Sequence, residues 1–304
     1  MSGISIFDHL HFQNPLVRDL AWAVFSPSLL DSKSGLEVTD DKFLGVSHEA
    51  LVDFRSRLGA LDHDPQSLES AIGEASHRLG DYFEALIEFW LRSCPCCHKI
   101  ERHFHLSLEH KGLGEFGFLY FSDLVSATCH LEVACRYYLL QGDPDNLASY
   151  VGLDRKDTLE KKIFALRRRL ALSNNTRVKA LLEKEQLLPI TSACLIKGYI
   201  LYPLNDDASF VPIPTEGIHT HHLSGWWARH DDRLWKERVG ETRLLILPKR
   251  EWLAPREYDE GDVAFLKNSF LREDRLPQKP PFLLAVYHLG DGIWKEHERG
   301  MIVN

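Results

Sequence analysis

The stretch GEFGFLYFSDLVSATCHLEVACRYYLL, residues 114–140, decides the fold. Aromatic, β-branched and other apolar residues dominate its two segments, 114–121 and 128–140, which is the composition of β-strands. Each predicted strand carries one acidic residue, Glu115 in the first and Glu132 in the second, within a segment otherwise suited to burial. A carboxylate in such a place needs a cation, a hydrogen-bond donor or a metal ion beside it.

Helical periodicity precedes these strands. Asn14 is a predicted N-cap with Pro15 at the first helical position, and that helix is expected to end near Ser26-Pro27. A second helix is predicted over 47–61, and a third from about Ser67 to Leu91 despite two internal glycines. The spacing of apolar residues changes to two over 100–110, which adds a strand before the opening stretch.

Helices return after the third strand, with Asp157 as the predicted N-cap of 157–173 and a further helix over 176–187. A strand follows over 192–204, so that the order is helix, three strands, helices, strand. Beyond Pro203 we expect short strands and one short charged helix, placed as follows: strands at 209–214, 243–248, 282–289 and 294–303, and the helix near 258–270. The His- and Trp-rich segment 217–232 between them is predicted to be a loop anchored by Trp226 and Trp227, with a metal site or a base-stacking platform as the alternative.

The composition sets limits on function. A formal charge of -8 removes the basic bias common among nucleic-acid-binding proteins, so that such binding would have to rest on a local patch. No apolar run is long enough to span a bilayer, and the N-terminus lacks a basic start followed by an apolar core, so we expect a cytoplasmic protein with no membrane contact. Six cysteines in 304 residues are expected to be reduced thiols.

Three segments together resemble the PD-(D/E)XK nuclease superfamily: RLGDYFEALIEFWL (78–91), GEFGFL (114–119) and HLEVACRYYL (130–139). The order of elements is also similar. More narrowly, further segments resemble a bacterial domain-of-unknown-function family, numbered eighteen fifty-three, that would cover nearly the whole chain. Those segments are FQNPLVRDLAWAVFSPSLL (12–30), YVGLDRKDTLEKKI (150–163), KGYILYP (197–203) and GWW (225–227).

The resemblance implies an α/β (α+β) fold with an α-β-β-β-α-β core and a mixed sheet flanked by helices. The core would occupy 67–203, after a helical N-terminal segment at 1–66 and before a β-rich extension at 204–304 that does not fold alone. The implied activity is cleavage of nucleic-acid phosphodiester bonds with Mg²⁺ or Mn²⁺, which carboxylates hold and which polarises the phosphate.

By position, the glutamate of the family helix is Glu84 and that of the E-x-K motif is Glu132. The motif aspartate falls on Gly117 and the motif lysine on Ala134, so two expected groups are missing. The resemblance therefore implies metal binding by Glu132 and the Val133 carbonyl, with Glu84 assisting directly or through water and Glu115 as a stand-in for the aspartate. Arg136, on the same strand face as Glu132, would contact the phosphate without acting as a base.

Other interpretations stay open. The two missing groups favour a catalytically inactive module of the same fold that binds nucleic acid or a protein, and Glu132 could simply pair with Arg136 or a helix cation. Glu84 could belong to a solvated stripe with Asp81 and Glu88. A zinc-stabilised module would use Cys94 and Cys97, with His98, His103, His105 and His110 as further candidates. The candidates for phosphate contact lie on one predicted helix and are Lys161, Lys162, Arg167, Arg168 and Arg169.

Overall fold

The computed structural model describes residues 12–39, 42–46, 48–73, 78–108, 111–205, 215–239, 242–271 and 280–304. Its helices are α1 Pro15–Phe25, α2 His48–His63, α3 Gln66–Ile72, α4 Leu79–Ser93, α5 Leu159–Leu170, α6 Thr176–Lys184, α7 Leu234–Val239 and α8 Val263–Asn268. Its strands are β1 Cys97–Leu108, β2 Lys111–Ser122, β3 Ala127–Leu140, β4 Tyr150–Gly152, β5 Ile190–Pro203, β6 Leu223–Arg229, β7 Arg243–Leu247, β8 Glu257–Asp259, β9 Phe270–Leu271, β10 Phe282–Gly290 and β11 Ile293–Val303.

One mixed sheet joins the described strands in the order β1-β2-β3-β5-β6-β11-β10-β7-β9, with β4 beside β3 and β8 beside β11. The first three strands are antiparallel, and β5 runs parallel to β3 through twelve residue pairs from Thr128–Ile190 to Leu139–Leu201. The predicted succession of three strands, helices and a strand is confirmed, and so is the α/β class. Because β5 returns parallel to β3, the connection crosses one face of the sheet, and α5 and α6 lie in that connection.

The helix boundaries confirm one predicted cap and correct two other predictions. Asn14 caps α1 through its side-chain oxygen, which accepts from the backbone N–H of Leu16 and Val17. The helix predicted from Ser67 to Leu91 is instead two helices, because α3 ends before Gly73. Gly73 has a φ of 52°, a conformation that glycine adopts with little steric cost. The N-cap of α5 is Thr158 and not Asp157, since the Thr158 hydroxyl accepts from the N–H of Lys161.

The two faces of β3 bury different kinds of side chain. Odd-numbered residues such as Leu131, Cys135 and Tyr137 pack into the main core with α1 and α4. Even-numbered residues face α5, and Ala134 and Tyr138 pack there against a second apolar cluster. Glu132 belongs to this second face, because successive side chains of a strand alternate between faces. The sequence therefore places its one buried acid of β3 opposite the basic helix.

The C-terminal third continues the same sheet. Within the segment predicted to be a His- and Trp-rich loop, residues 223–229 form β6, which runs parallel to both β5 and β11, so the loop prediction is wrong for this part. The strand predicted at 209–214 lies outside the described residues. A buried ion pair also joins α1 to the C-terminal third, since Arg256 Nη2 lies 2.9 Å from each carboxylate oxygen of Asp19 on α1.

Among the described residues, no helix combines the length and the apolarity that crossing a membrane requires.

Candidate functional site

The site is built around the carboxylate of Glu132, which is only 4% exposed. Its Oε1 accepts the backbone N–H of Gly117 at 3.0 Å and contacts His130 Nε2 at 2.9 Å, while its Oε2 lies 2.7 Å from Arg169 Nε. Burial raises the pKa of Glu132, but the His130 hydrogen bond and the Arg169 charge outweigh it, so that the pKa lies below its usual value. Glu132 is therefore a paired anion, and its partner is a cation of α5.

Gly117 makes this arrangement sterically feasible. The β2–β3 pairing ends at Phe118 and Leu131, so the Gly117 N–H is available to the Glu132 side chain. A Cβ at position 117 would lie 2.9 Å from the Leu131 carbonyl oxygen and 3.4 Å from Glu132 Oε2. An aspartate here would thus collide with backbone and crowd a buried carboxylate. The Glu132 side chain occupies part of the space that a side chain at position 117 would need.

The three glutamates predicted from the sequence are connected through two basic side chains, His103 and Arg169. His103 contacts Glu84 Oε2 through Nε2 at 3.3 Å and Glu115 Oε1 through Nδ1 at 3.0 Å. Arg169 contacts the other two carboxylates: its Nη2 lies 3.8 Å from Glu115 Oε1, and its Nε contacts Glu132. Partial burial raises the pKa of Glu84, and the charge of His103 opposes that effect. The order along this chain of contacts is Glu84, His103, Glu115, Arg169, Glu132.

This arrangement does not fit a Mg²⁺ or Mn²⁺ site. A carboxylate offers about four lone-pair positions, and three of those on Glu132 are already in use. Arg169 lies between Glu132 and Glu115, and His103 lies between Glu115 and Glu84, where a bound ion would have to bring oxygens together. Across the parts of the chain that the structure describes, no three His, Cys, Asp or Glu side chains are grouped so as to hold a metal ion. The carbonyl of Val133 was the other predicted metal ligand. Val133 lies in the part of β3 that pairs, among the described strands, with β5 alone.

Two further cations lie along the same face of β3. Arg136 Nε is 3.7 Å from Asp157 Oδ2, and its Nη1 donates to the Cys135 carbonyl. Two of the guanidinium nitrogens of Arg136 therefore already have partners within the protein. Lys162 of α5 is half-buried, and its amine interacts electrostatically with Arg136 and Glu132. Burial, with the Arg136 charge next, lowers the pKa of Lys162 to about 8.

The predicted phosphate contacts of α5 divide into two groups. Arg169 is held by Glu132, and Lys162 points toward the sheet. Lys161 and Arg167 are exposed and donate to backbone carbonyls, those of Lys156 and Ser34. Arg168 is exposed and forms no ion pair with the residues that the structure describes. Three of the five cations are thus available at the outer surface of the helix.

The two thiols predicted as zinc ligands lie close together, and the described histidines predicted beside them contact carboxylates instead. The Sγ atoms of Cys94 and Cys97 are each 3.1 Å from the point where a Cβ on Gly45 would lie. The hydrogen bond from Cys94 lowers the pKa of the Cys97 thiol against the effect of burial. His98 is directed to Asp123 at 2.8 Å. His103 and His105 both contact Glu115, and His110 lies outside the described residues.

The residue most clearly missed by sequence reasoning is His130. It is fully buried, its Nδ1 lies 3.1 Å from the Ser192 hydroxyl, and its ring lies 3.9 Å from the ring of Phe116. Position offered one signal, because residues i and i+2 of a strand share a face and His130 precedes Glu132 by two. Asp157, the partner of Arg136, was predicted only as a helix cap.

Comparison with known proteins gives one result. No curated protein and no solved structure matches the chain significantly. A family model matches residues 18–303, and the chain therefore belongs, as its motifs suggested, to the family described as Domain of unknown function (DUF1853).

Proposed function

We propose that this protein binds nucleic acid through the α5–α6 side of a PD-(D/E)XK-like core and does not cleave it. Apart from the three-residue β4 and the second helix α6, the order α4-β1-β2-β3-α5-β5 is the α-β-β-β-α-β order of that superfamily, which supports this fold assignment. The observation that carries the proposal is the Arg169 guanidinium, 2.7 Å from Glu132 and 3.8 Å from Glu115. A fixed cation there balances the carboxylate charge that a metal ion would otherwise balance.

Charge supports nucleic acid as the partner. Residues 154–185, which contain α5 and α6, include ten Lys and Arg residues and five Asp and Glu residues, whereas the whole chain has 36 and 44. The basic residues exposed in this segment are Arg155, Lys156, Lys161, Arg167, Arg168, Arg169, Arg177, Lys179 and Lys184. A local cationic surface on an acidic protein attracts phosphate backbones through release of counterions.

The test is fluorescence anisotropy with labelled DNA and RNA in EDTA at several salt concentrations. We expect binding that weakens with salt, and a slope of log K against log salt that falls by about 1 in Arg168→Ala. Lys267→Ala is the matched control, because Lys267 is an exposed cation on α8, whose Phe265 packs into the opposite, main core. Absence of binding to every nucleic acid at low salt would refute the proposal.

A second candidate function is metal-dependent cleavage by the same residues. It is favoured by the nearness of the Glu84, Glu115 and Glu132 carboxylates, which share His103 and Arg169 as partners, and by Lys162, an amine with a pKa of about 8 near Glu132. Because the residues as they stand do not fit a metal ion, cleavage would require that Arg169 first separate from Glu132. Lys162 would then supply a group that loses a proton near neutral pH, which Arg136 cannot do. The cytoplasmic location remains an expectation under either function.

A further inference from the structure

A cleft of about 470 Å³ lies on the outer side of α5, away from Glu132. Lys161, Phe164 and Arg167 line it from the helix, and Leu147 lines it from the preceding 3₁₀ turn. The volume is within the range of small-ligand pockets, roughly 300 to 1,000 Å³. The cleft is therefore large enough for one planar ring system.

Phe164 is the unusual member of this lining. Its side chain is 60% exposed, on a helix whose neighbouring Ile163 and Leu166 are buried at 5% and 1%. A helix needs no phenylalanine on its solvent face, where packing contributes little and the apolar ring contacts water. The ring thus offers an unpaired aromatic surface at the cleft.

Cations flank the exposed ring on both sides along the helix. Lys161 precedes Phe164 by three residues and Arg168 follows it by four, so all three side chains share one helix surface. Glu160 also lines the cleft, and its carboxylate repels a phosphate inside it. Lys161 and Arg167 also line the cleft and outnumber Glu160. The exposed Phe164 ring therefore favours a planar ring in the cleft, and the cations favour phosphates beside it, near Lys161, Arg167 and Arg168.

We propose that this cleft takes a single unstacked nucleobase on Phe164, so that the protein prefers single-stranded nucleic acid over duplex. The inference rests on the proposed function and specifies its substrate. In a duplex each base is paired and stacked, and its faces cannot reach an aromatic side chain without being flipped out. In a single strand the base faces are available, and stacking on an aromatic ring contributes about 1 to 3 kcal/mol per base.

The experiment compares three probes: a labelled dT strand of about 20 nucleotides, a duplex of the same length, and inorganic polyphosphate as a competitor without bases. We expect the strand to bind at least about tenfold more tightly than the duplex. Phe164→Ala should weaken strand binding by about five- to a hundredfold and leave duplex binding unchanged, whereas Phe164→Trp should retain strand binding. Because Phe164 is largely exposed, its replacement by alanine is not expected to affect folding.

Several outcomes would overturn the inference while leaving the proposed function intact. The first is equal affinity for strand and duplex, and the second is unchanged strand binding by Phe164→Ala. The third is that polyphosphate displaces the strand from wild type and from Phe164→Ala at the same concentration. If Phe164→Ala instead dissociated a self-associated protein without changing DNA affinity, Phe164 would be a contact between copies, and the inference would be wrong. Loss of all binding, by wild type as well, would refute the proposed function itself.

Discussion

Glu132 shows at the scale of one residue how an acid becomes tolerable inside a strand. Its three polar contacts come from different elements: the backbone of β2, a histidine on its own strand and an arginine of α5. Buried polar groups without such partners cost free energy, so each contact here offsets the cost of burial. These contacts explain how the strand accommodates an acid in an otherwise apolar segment.

Glu132→Gln should lower the free energy of unfolding by about 2 kcal/mol at pH 7, because the charge-assisted pairs are lost and a hydrogen-bonding side chain is kept. The native pKa of Glu132 lies below its usual value, so the stability it contributes is present above the unfolded pKa and is lost as pH falls through the native one. In urea titrations, the difference between wild type and variant should therefore shrink below about pH 4. A difference that is constant down to pH 2 would contradict the ionic role.

Gly117→Ala should destabilise the protein by about 1 to 3 kcal/mol, because the added Cβ would lie 2.9 Å from a backbone oxygen and must push β2 away from Glu132. Gly112→Ala on the same strand is the matched control, since no atom lies within 4 Å of its added Cβ. Urea denaturation of both variants checks the expectation. Equal stability of the two would show that position 117 is not crowded.

At the scale of elements, the docking of α5 determines what the site can do. Arg169 follows Lys162 by seven residues, two helical turns, so both cations lie on the helix face turned to β3. Phe164 and Arg168 lie on other faces of the same helix. One amphipathic helix thus neutralises a buried carboxylate on one side and exposes an aromatic ring beside a cation on the other.

Arg169→Ala should leave Glu132 buried without its cation and lower stability by about 2 to 4 kcal/mol at pH 7. If the guanidinium occupies the place of a metal ion, Mn²⁺ should then raise the thermal midpoint of this variant by a few degrees and leave wild type unchanged. Thermal unfolding with and without Mn²⁺ measures both effects. An equal rise in wild type would mean that the carboxylates already bind the ion with Arg169 present.

Local signals in the sequence predict the elements better than they predict the site. Asn14 and Pro15 are adjacent to the helix they start, so α1 could be predicted closely. Asp157 and Thr158 are both good capping residues, and local preference could not choose between them. The pairing of Glu132 with Arg169 spans 37 positions and depends on how α5 packs, which no spacing rule encodes.

At the scale of the whole molecule, two features connect the N-terminal part of the chain to its C-terminal third: the continuous sheet, and the ion pair of Asp19 with Arg256. Asp19 is 2% exposed and also accepts from the Tyr82 hydroxyl of α4 at 2.8 Å. The packing of β6 on β11 is also close, because a Cβ on Gly300 of β11 would lie 2.2 Å from the indole ring of Trp226 on β6. Such a contact, across 74 positions, is a property of the assembled sheet.

Arg256→Ala should lower the free energy of unfolding by about 3 to 5 kcal/mol, since Asp19 would remain buried without its cation. Unfolding in urea should stay a single transition followed equally by fluorescence and circular dichroism, because core and extension share one sheet. Lys267→Ala, an exposed cation on α8, should leave stability unchanged. Two separate transitions, of which only one responds to Arg256→Ala, would show that the extension folds independently.

The central claim, binding without cleavage, is tested most directly by one measurement on a labelled single strand. Wild type and Glu132→Gln are incubated with the strand in EDTA, Mg²⁺ or Mn²⁺, and each mixture is divided between an anisotropy reading and a denaturing gel. We expect wild type to bind equally well in EDTA and in either metal, and the strand to stay intact throughout. Cleavage that needs a metal ion and disappears in a folded Glu132→Gln would show instead that the protein is a working nuclease.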